Sequence, residues 1–577
     1  MTLTTRGAAA PVHAEERVDA GSLDAAVLSV AANVDRWAST GPAAREALLA
    51  RVVASLADAA PAWHLAACEA KGLDPNGYDG GEELVAGVGV LARLAQQLRQ
   101  SLHEIGRDGR PRIPGPVRHV PGGRLAMGVV PRSTWDRVLL PRQLGEVWAQ
   151  PGLALDDVVS GQARAYQDPE GHRGVACVLG AGNVASLGPN DALSKLFVEG
   201  KVVVLKANPV NDYLVEHWER ALKPLVDEGV LRIVRGGGAA GAHLVNHSLV
   251  DEVHVTGSDK TFEAIVFGPG EEGRRRKEAN VRLLTKRVTA ELGSVSPVVV
   301  VPGRWSAKDL SYQAAHVASM LVNNAGFNCV TPRVLVTWRH WPQREAFLNE
   351  LECVLSTIPT RLAYYPGASE RHEAFVSTHE GARLLGAADE GRLPWTLLRG
   401  LDARRHDDTA LNVEAFCSLM AETALDTATP DQFVDAAVEF CNDVVWGTLG
   451  ATVLAHPSQL KDPLVGGRVD AAIASLRFGS IGLNVWHAWS FAFGTTTWGA
   501  FPGHHPTDIQ SGVGVVGNAL MFDRPEKSIV SGPFRVTPTP PTFATARASN
   551  AALRRFVSMQ LDPSVAKLPG LVAAALR

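Results

Sequence analysis

Cysteine is scarce and scattered. The 577 residues hold six, at Cys68, Cys177, Cys329, Cys353, Cys417 and Cys441, and no two stand at C-x-x-C spacing. That excludes a zinc ribbon, a thioredoxin-like motif and a disulfide framework, and it predicts a reduced, cytoplasmic setting with thiols free for chemistry. Long apolar runs are missing too, and none approaches the roughly 18 residues of a membrane span. Excess charge is lacking: 56 Lys and Arg face 60 Asp and Glu, a net of −4. Nucleic acid and anionic membranes are therefore not expected as partners. A serine hydrolase is excluded because no G-x-S-x-G elbow occurs. The first residues carry no apolar core of a signal peptide, and 1–22 reads as a flexible tail.

The chain does have ordinary globular composition, 46% hydrophobic and 20% charged. Its length suits three or four domains, or two large ones. Leu48, Leu49, Val52, Val53 and Leu56 recur at helical spacing, with Arg45 and Arg51 off that stripe. Residues 107–123, rich in Gly, Pro and Arg, read as an exposed connection. From Val175 onwards, short β-branched runs alternate with helical ones. Strands are predicted at 175–179, 202–205, 231–234 and 253–255, and helices at 212–228 and 242–247. This alternation defines an α/β class with parallel sheets. A second α/β stretch runs from about 298 to 498, followed by a strand at 528–536, a proline-rich link and a helical tail.

Two sites suit phosphate. Gly236, Gly238 and Gly241 form a G-x-G-x-x-G between a predicted strand and helix, which is either a dinucleotide fingerprint or a flexible turn. Gly257 and Ser258 follow a second strand at the start of a second helix, where free N–H groups gather.

Here the blocks become specific. "VHVTGS" (253–258), "TAELGSVSP" (289–297) and "NNAGFNCVTPRVLV" (323–336) resemble the aldehyde dehydrogenase superfamily. "GVACVLGAGN" (174–183), "VVLKANP" (203–209), "NVEAFC" (412–417), "GTLGATV" (447–453), "FGSIGLN" (478–484) and "FPG" (501–503) fall in the family's order. The resemblance spans about 23–534, weakly before 174. It implies two Rossmann-like domains and a strand flap that builds homodimers or homotetramers. The implied boundaries are a cofactor domain over 23–295 with an oligomerisation hairpin near 155–173, a catalytic domain over 296–500, a return to the cofactor domain over 501–527, and a final strand and tail over 528–577.

The resemblance also implies chemistry. Cys329 is the nucleophile, a role thiols suit because the thiolate is accessible and reactive. Asn183 and the Cys329 backbone N–H serve the oxyanion, where losing one donor costs about 3–4 kcal/mol in other enzymes. Glu291 is the general base for thioester hydrolysis. It favours release of a free acid, since relatives that transfer the acyl group to coenzyme A generally lack it. Alternatives are such a coenzyme A-dependent relative, or a catalytically silent binding protein on the same fold. For the cofactor, NAD or NADP, the resemblance assigns Lys206 to the adenosine ribose, Gly257 and Ser258 to the pyrophosphate, and Glu414 and Phe416 to the nicotinamide half. Gly238 falls near the adenosine end.

Four positions depart from the family. Pro209 replaces an acidic residue that meets the ribose 2′-hydroxyl, which makes NADP admissible. Phe262 replaces a glycine of the pyrophosphate turn. Arg274, Arg275, Arg276 and Lys277 lie on an insertion, more simply a solvated face than a phosphate contact. Phe327 and Asn328 stand where Gly-Gln usually precedes the nucleophile block. Finally, Trp486, Trp489, Phe491, Phe493, Trp498 and Phe501 crowd one segment, which suggests a bulky apolar or aromatic aldehyde, or a core or subunit contact. No metal is expected.

Overall fold

A computed structural model describes residues 19–389, 391–546 and 549–575. Most of the expected 1–22 tail lies outside them, but its end does not behave as a tail: Ala20–Ala31 is a helix with Asp19 as its cap.

Two large sheets organise the described residues, beside a short antiparallel pairing of Thr497–Trp498 with Val516–Gly517. The smaller has six strands in the order Gly512–Val513, Arg287–Leu292, Glu252–Gly257, Val175–Leu179, Val202–Lys206 and Leu231–Val234. Five run parallel and Gly512–Val513 closes one edge antiparallel to Arg287–Leu292. The four predicted strands are all here, within two residues at each end. Val203, Val204, Leu205, Val253 and Val255 are fully or nearly fully buried, as expected of parallel strands covered on both faces.

The helix Pro42–Lys71 covers part of this domain. Gly41 precedes it and Gly72, at φ +63°, ends it. Leu49, Val52, Leu56 and Trp63 are buried against the sheet-side cluster, each contributing roughly 1.5–3 kcal/mol. The predicted helix over 212–228 is instead three pieces: Pro209–Leu214, Val215–Ala221 and Lys223–Asp227. Pro224 has no N–H to continue the ladder, so the helix breaks at Leu222.

The larger sheet has eleven strands. Its parallel centre is Ser480–Leu483, Gly450–Leu454, Ser296–Val300, Pro332–Trp338, Leu419–Leu425 and Trp395–Leu401. Beyond Ser480–Leu483 come Pro525–Ser531, Leu144–Ala149, Arg124–Val130 and Val117–Val120, while Ala382–Leu385 forms the other edge.

That order corrects the expected flap. Residues 155–173 contain no strand; they form the short helices Leu155–Ser160, Arg164–Gln167 and Pro169–His172. Asp168 and Pro169 initiate the last of these, the Asp168 carboxylate accepting from Gly171 N at 3.0 Å. Antiparallel strands lie earlier, between 117 and 149, and belong to the large sheet rather than to the small one. The strand expected over 528–536 is Pro525–Ser531. It pairs parallel with Ser480–Leu483 and antiparallel with Leu144–Ala149. The main-chain bonds expected across a subunit boundary therefore close within one chain. The C-terminal helix Ser549–Leu561 is docked as well: a Cβ on Gly89 would lie 2.9 Å from Val557 Cγ2, so small residues there admit the helix.

Candidate active site

Cys329 follows a sharp turn. Asn324, Ala325 and Gly326 all have positive φ, at 48°, 55° and 80°. At Gly326 a Cβ would stand 2.4 Å from Cys417 O, so only glycine fits. Arg333, 2% exposed, clamps this turn to the neighbouring segment. Its Nη2 donates to Gly326 O at 2.6 Å, and Nη1 to Cys417 O at 2.7 Å and Leu419 O at 3.1 Å. The Cys329 thiol donates to Glu291 Oε1 at 3.1 Å. Burial first, then the carboxyls of Glu291 and Glu414, push the thiol well above its usual range.

Glu291 reaches the cysteine from strand Arg287–Leu292. Side chains alternate along a strand, so Arg287, Thr289 and Glu291 share a face. Their parallel partners Glu252, His254 and Thr256 are polar too. The Leu187–Leu193 helix lays Asp191 over this ladder: Thr256 Oγ1 donates to Asp191 Oδ2 at 2.8 Å, and His254 Nδ1 lies 2.9 Å from Thr289 Oγ1. Glu291 is 2% exposed, and its Oε2 has no hydrogen-bond partner. Burial, and next the Asp191 charge, raise its carboxyl to about 7. A carboxylate with that affinity for protons suits a base working near neutral pH.

Asn183 meets the same loop. Its Nδ2 donates to Phe327 O at 2.9 Å, which leaves one amide hydrogen for another acceptor. Its main-chain carbonyl oxygen collects three side-chain donors: Lys71 Nζ at 3.1 Å, Asn324 Nδ2 at 2.9 Å and Tyr364 Oη at 2.8 Å. Lys71 pairs with Glu83 at 2.8 Å, both buried. Glu82 accepts from Asn324 N at 2.8 Å and from Arg361 Nη1 at 2.7 Å. The turn before Cys329 is thus fastened to the helices Pro42–Lys71 and Tyr78–Leu84. Sequence reasoning missed Lys71, Glu82, Glu83, Tyr364, Arg333 and Asp191. Arg333 stood inside a quoted block, and Lys71 ends a helix whose apolar stripe was visible, but nothing in one dimension pairs Lys71 with Asn183.

Gly257, Ser258, Lys206 and Gly238 lie at or just beyond the carboxyl ends of the small sheet's strands, whereas Glu414 and Phe416 precede the large-sheet strand Leu419–Leu425. Gly257 ends Glu252–Gly257, and Ser258 caps the helix Asp259–Phe267, its Oγ accepting from Thr261 N at 3.1 Å. Nothing lies within 4 Å of a Cβ on Gly257 or Gly238, so both backbones are open to a ligand. Lys206 ends its strand against the glycine turn: a Cβ on Gly241 would be 3.5 Å from Lys206 Cε. Its Nζ donates to Ala207 O at 2.9 Å. Pro209 is exposed at the start of its 3-10 turn. Glu414 presses on Gly293, whose Cβ would lie 2.0 Å from Glu414 Oε2. Its other oxygen is buried without a partner, and burial raises its carboxyl to about 7 against the pull of Arg333. Phe416 adopts φ +43° beside Tyr365, with centroids 4.9 Å apart.

The departures resolve in particular ways. Phe262 is 1% exposed and packs inward with Val255 and Val266, so its ring stays off the open helix end. The basic insertion is the helix Gly270–Glu278, where Arg274 and Arg275 pair with Glu271, and Arg276 with Glu272 at 3.2 Å. The aromatic segment divides. Phe491 and Trp498 pack near Cys329, and Trp486 Nε1 donates to Val330 O at 2.8 Å. Trp489 and Phe493 instead join the core around Leu520 and Phe522. Phe327 turns toward Tyr364, Tyr365 and Phe416, forming a second ring cluster.

Parallel sheets covered by helices, with an open glycine and helix end at one sheet and a cysteine bonded to a buried carboxyl, define the class as an α/β fold. Residues 163–360 match the aldehyde dehydrogenase family. A betaine aldehyde dehydrogenase of Brucella anthropi is 31% identical over 138 residues, 24% of this chain and 24% of that protein. The chain thus aligns with about a quarter of the length of such relatives. An aldehyde dehydrogenase of Mycobacterium tuberculosis, solved with NAD+, shares the fold at TM-score 0.59 and 19% identity, over 90% of this chain and 91% of that one. The NADP-dependent glyceraldehyde-3-phosphate dehydrogenase of Bacillus halodurans, solved with NADP, does so at 0.58 and 15%, over 89% and 91%. Over residues 163–360 the chain is thus similar to the aldehyde dehydrogenase family, and its fold is that of the solved aldehyde dehydrogenases. Among the described residues no helix is long and apolar enough to cross a membrane.

Proposed function

We infer that this protein oxidises an aldehyde to a carboxylic acid with NAD or NADP, by way of a thioester on Cys329. The observation that carries the reading is the 3.1 Å contact between Cys329 Sγ and Glu291 Oε1, with the Asn183 amide bonded to the Cys329 loop at Phe327 O. The residues present fit a nicotinamide dinucleotide: two unobstructed glycines, a capped helix end and the orphaned Glu414 Oε1 above Gly293. Gly257 and Ser258 would hold the pyrophosphate, Lys206 and Gly238 flank the adenosine end, and Glu414 and Phe416 the nicotinamide half. When bound, the cofactor supplies the hydride acceptor.

The chain's own residues do the rest. Glu291 takes the thiol proton as sulfur attacks the aldehyde carbon. The oxygen left on the adduct faces the second Asn183 amide hydrogen and the Cys329 backbone N–H, donors fixed before the charge forms. Once the thioester has formed and Glu291 has released the thiol proton to solvent, its carboxylate takes a proton from water and returns it to the departing sulfur, freeing the acid. Phe491 and Trp498, packed beside Cys329, favour a bulky apolar or aromatic aldehyde. Pro209 places no carboxylate against a 2′-phosphate, so both cofactors are admitted.

The test is reduced-cofactor absorbance with a panel of short, medium-chain and aromatic aldehydes, NAD or NADP, with and without coenzyme A. The expected result is turnover without coenzyme A that disappears in Cys329→Ala. Turnover that requires coenzyme A would replace the hydrolytic reading with acyl transfer, and flat rates across the panel would remove the substrate assignment.

A further inference from the structure

One buried charge lies outside this chemistry. Arg45 stands off the apolar stripe of its helix, yet only 2% of it is exposed. Its guanidinium carbon is 4.0 Å from the Trp37 ring centroid and 5.0 Å from that of Tyr166. Nη2 donates to Trp37 O at 2.6 Å. Nε and Nη1 are buried with no hydrogen-bond partner, and among the described residues no carboxylate forms an ion pair with Arg45. The Tyr166 hydroxyl beside it donates to Phe197 O at 2.7 Å and interacts with the guanidinium, but it brings no full counter-charge. Two rings and one carbonyl are poor compensation for a buried guanidinium, which ordinarily carries an anion on its Nε–Nη edge.

A cleft of about 260 Å³ opens at this residue, lined also by Ser39, Thr40, Gly41, Pro42 and Tyr166. It faces the start of the 30-residue helix Pro42–Lys71, where Gly41 provides no side-chain cap. Ser39 and Thr40 do not replace it, since both hydroxyls donate to Arg36 O, at 2.9 and 2.7 Å. The positive end of a long helix and an unpaired guanidinium thus meet at one cleft, and both favour negative charge. Glu170, at the rim, is paired with Arg173 at 2.9 Å.

We propose that this cleft binds a phosphate-type oxyanion, either inorganic phosphate or the phosphate end of a larger molecule, with its oxygens on the unpartnered Arg45 N–H groups and the helix N-terminus behind them. The site is separate from the cysteine loop. It touches the cofactor domain through Trp37, whose Nε1 donates to Leu196 O at 3.3 Å.

The test measures thermal stability and calorimetric binding against sodium phosphate, glycerol 3-phosphate and, at matched ionic strength, sodium chloride. Wild type should show a saturable rise in Tm with phosphate and none of that form with chloride. A monoester that saturates at least tenfold lower would identify the phosphate end of a metabolite, and equal behaviour would identify inorganic phosphate. Arg45→Met should abolish the response. Gly41→Asp guards against misfolding in that variant: Gly41 has φ −71° and nothing within 4 Å of a Cβ. Its carboxylate would cap the helix, raise Tm in phosphate-free buffer and remove the phosphate response. Phosphate held at Ser258 would survive both substitutions. An undiminished response in Gly41→Asp, or no saturable rise in wild type, overturns the proposal.

Discussion

At the scale of single residues, Glu291 carries opposed demands. Its carboxyl is raised to about 7 by burial and by Asp191, so the base form fills as pH climbs through that value. The rate of thioester hydrolysis should therefore rise with pH and level off above about 7, and Glu291→Gln should lose both that inflection and about 10²–10⁴ in steady-state rate. A pH profile of steady-state turnover checks this; an unchanged inflection in the variant would place the base elsewhere. Stability runs the other way. Between the ordinary carboxyl value of 4.5 and about 7, the native state binds a proton that the unfolded chain has released, so this group's contribution falls as pH rises across that window. Glu291→Gln should gain about 3 kcal/mol at pH 8 and nearly nothing at pH 4, as read from urea melts. Gly293→Ala drives a methyl into Glu414 Oε2, so cofactor KM should rise at least tenfold with little change in the yield of folded protein. An unaltered KM would separate Glu414 from cofactor binding.

Among the elements, the notable partnership joins helix Pro42–Lys71 to the turn before Cys329. Tyr364→Phe removes one of three donors on Asn183 O and should cost about 1 kcal/mol of stability, while lowering kcat and leaving cofactor KM alone. Lys71→Met strands Glu83 in the interior and should cost about 3–5 kcal/mol. Adding Glu83→Gln should restore part of that, since the two share one ion pair. A double-mutant cycle by denaturant melts reads the coupling; additive losses would mean that the pair does not act as a unit. Much of the element level was legible in advance. Val175–Leu179 and Leu231–Val234 read directly, because parallel strands buried on both faces leave short β-branched runs. Residues 155–173 did not, because an expectation carried over from the family overrode the local helix signal at Asp168 and Pro169.

For the molecule as a whole, the strand Pro525–Ser531 has neighbours on both sides within its own chain. No partner strand is needed to complete the large sheet, and Cys329, Glu291, Asn183 and Glu414 all come from one chain. Its free edges are Val117–Val120 and Ala382–Leu385, and the first exposes Arg118 and His119, which discourages strand addition. Specific activity should therefore stay constant on dilution, followed by light scattering and turnover on the same samples. A loss of activity that tracks dissociation would show that a second copy helps to build the site.

What the sequence determined by itself was the chemistry on offer: a free cysteine in an ordered block, a glutamate 38 positions before it (329 − 291), glycines at strand ends and no surplus charge. Those are matters of residue type and local period, and they persist in one dimension. The tertiary structure alone decided who stands beside whom. It turned Phe262 inward, buried Arg45 without a counter-ion and brought Lys71 to Asn183 across 112 positions. It also closed the last strand on its own sheet. Such contacts depend on how helices pack over sheets, and packing couples residues by distance in space, which spacing along the chain does not record.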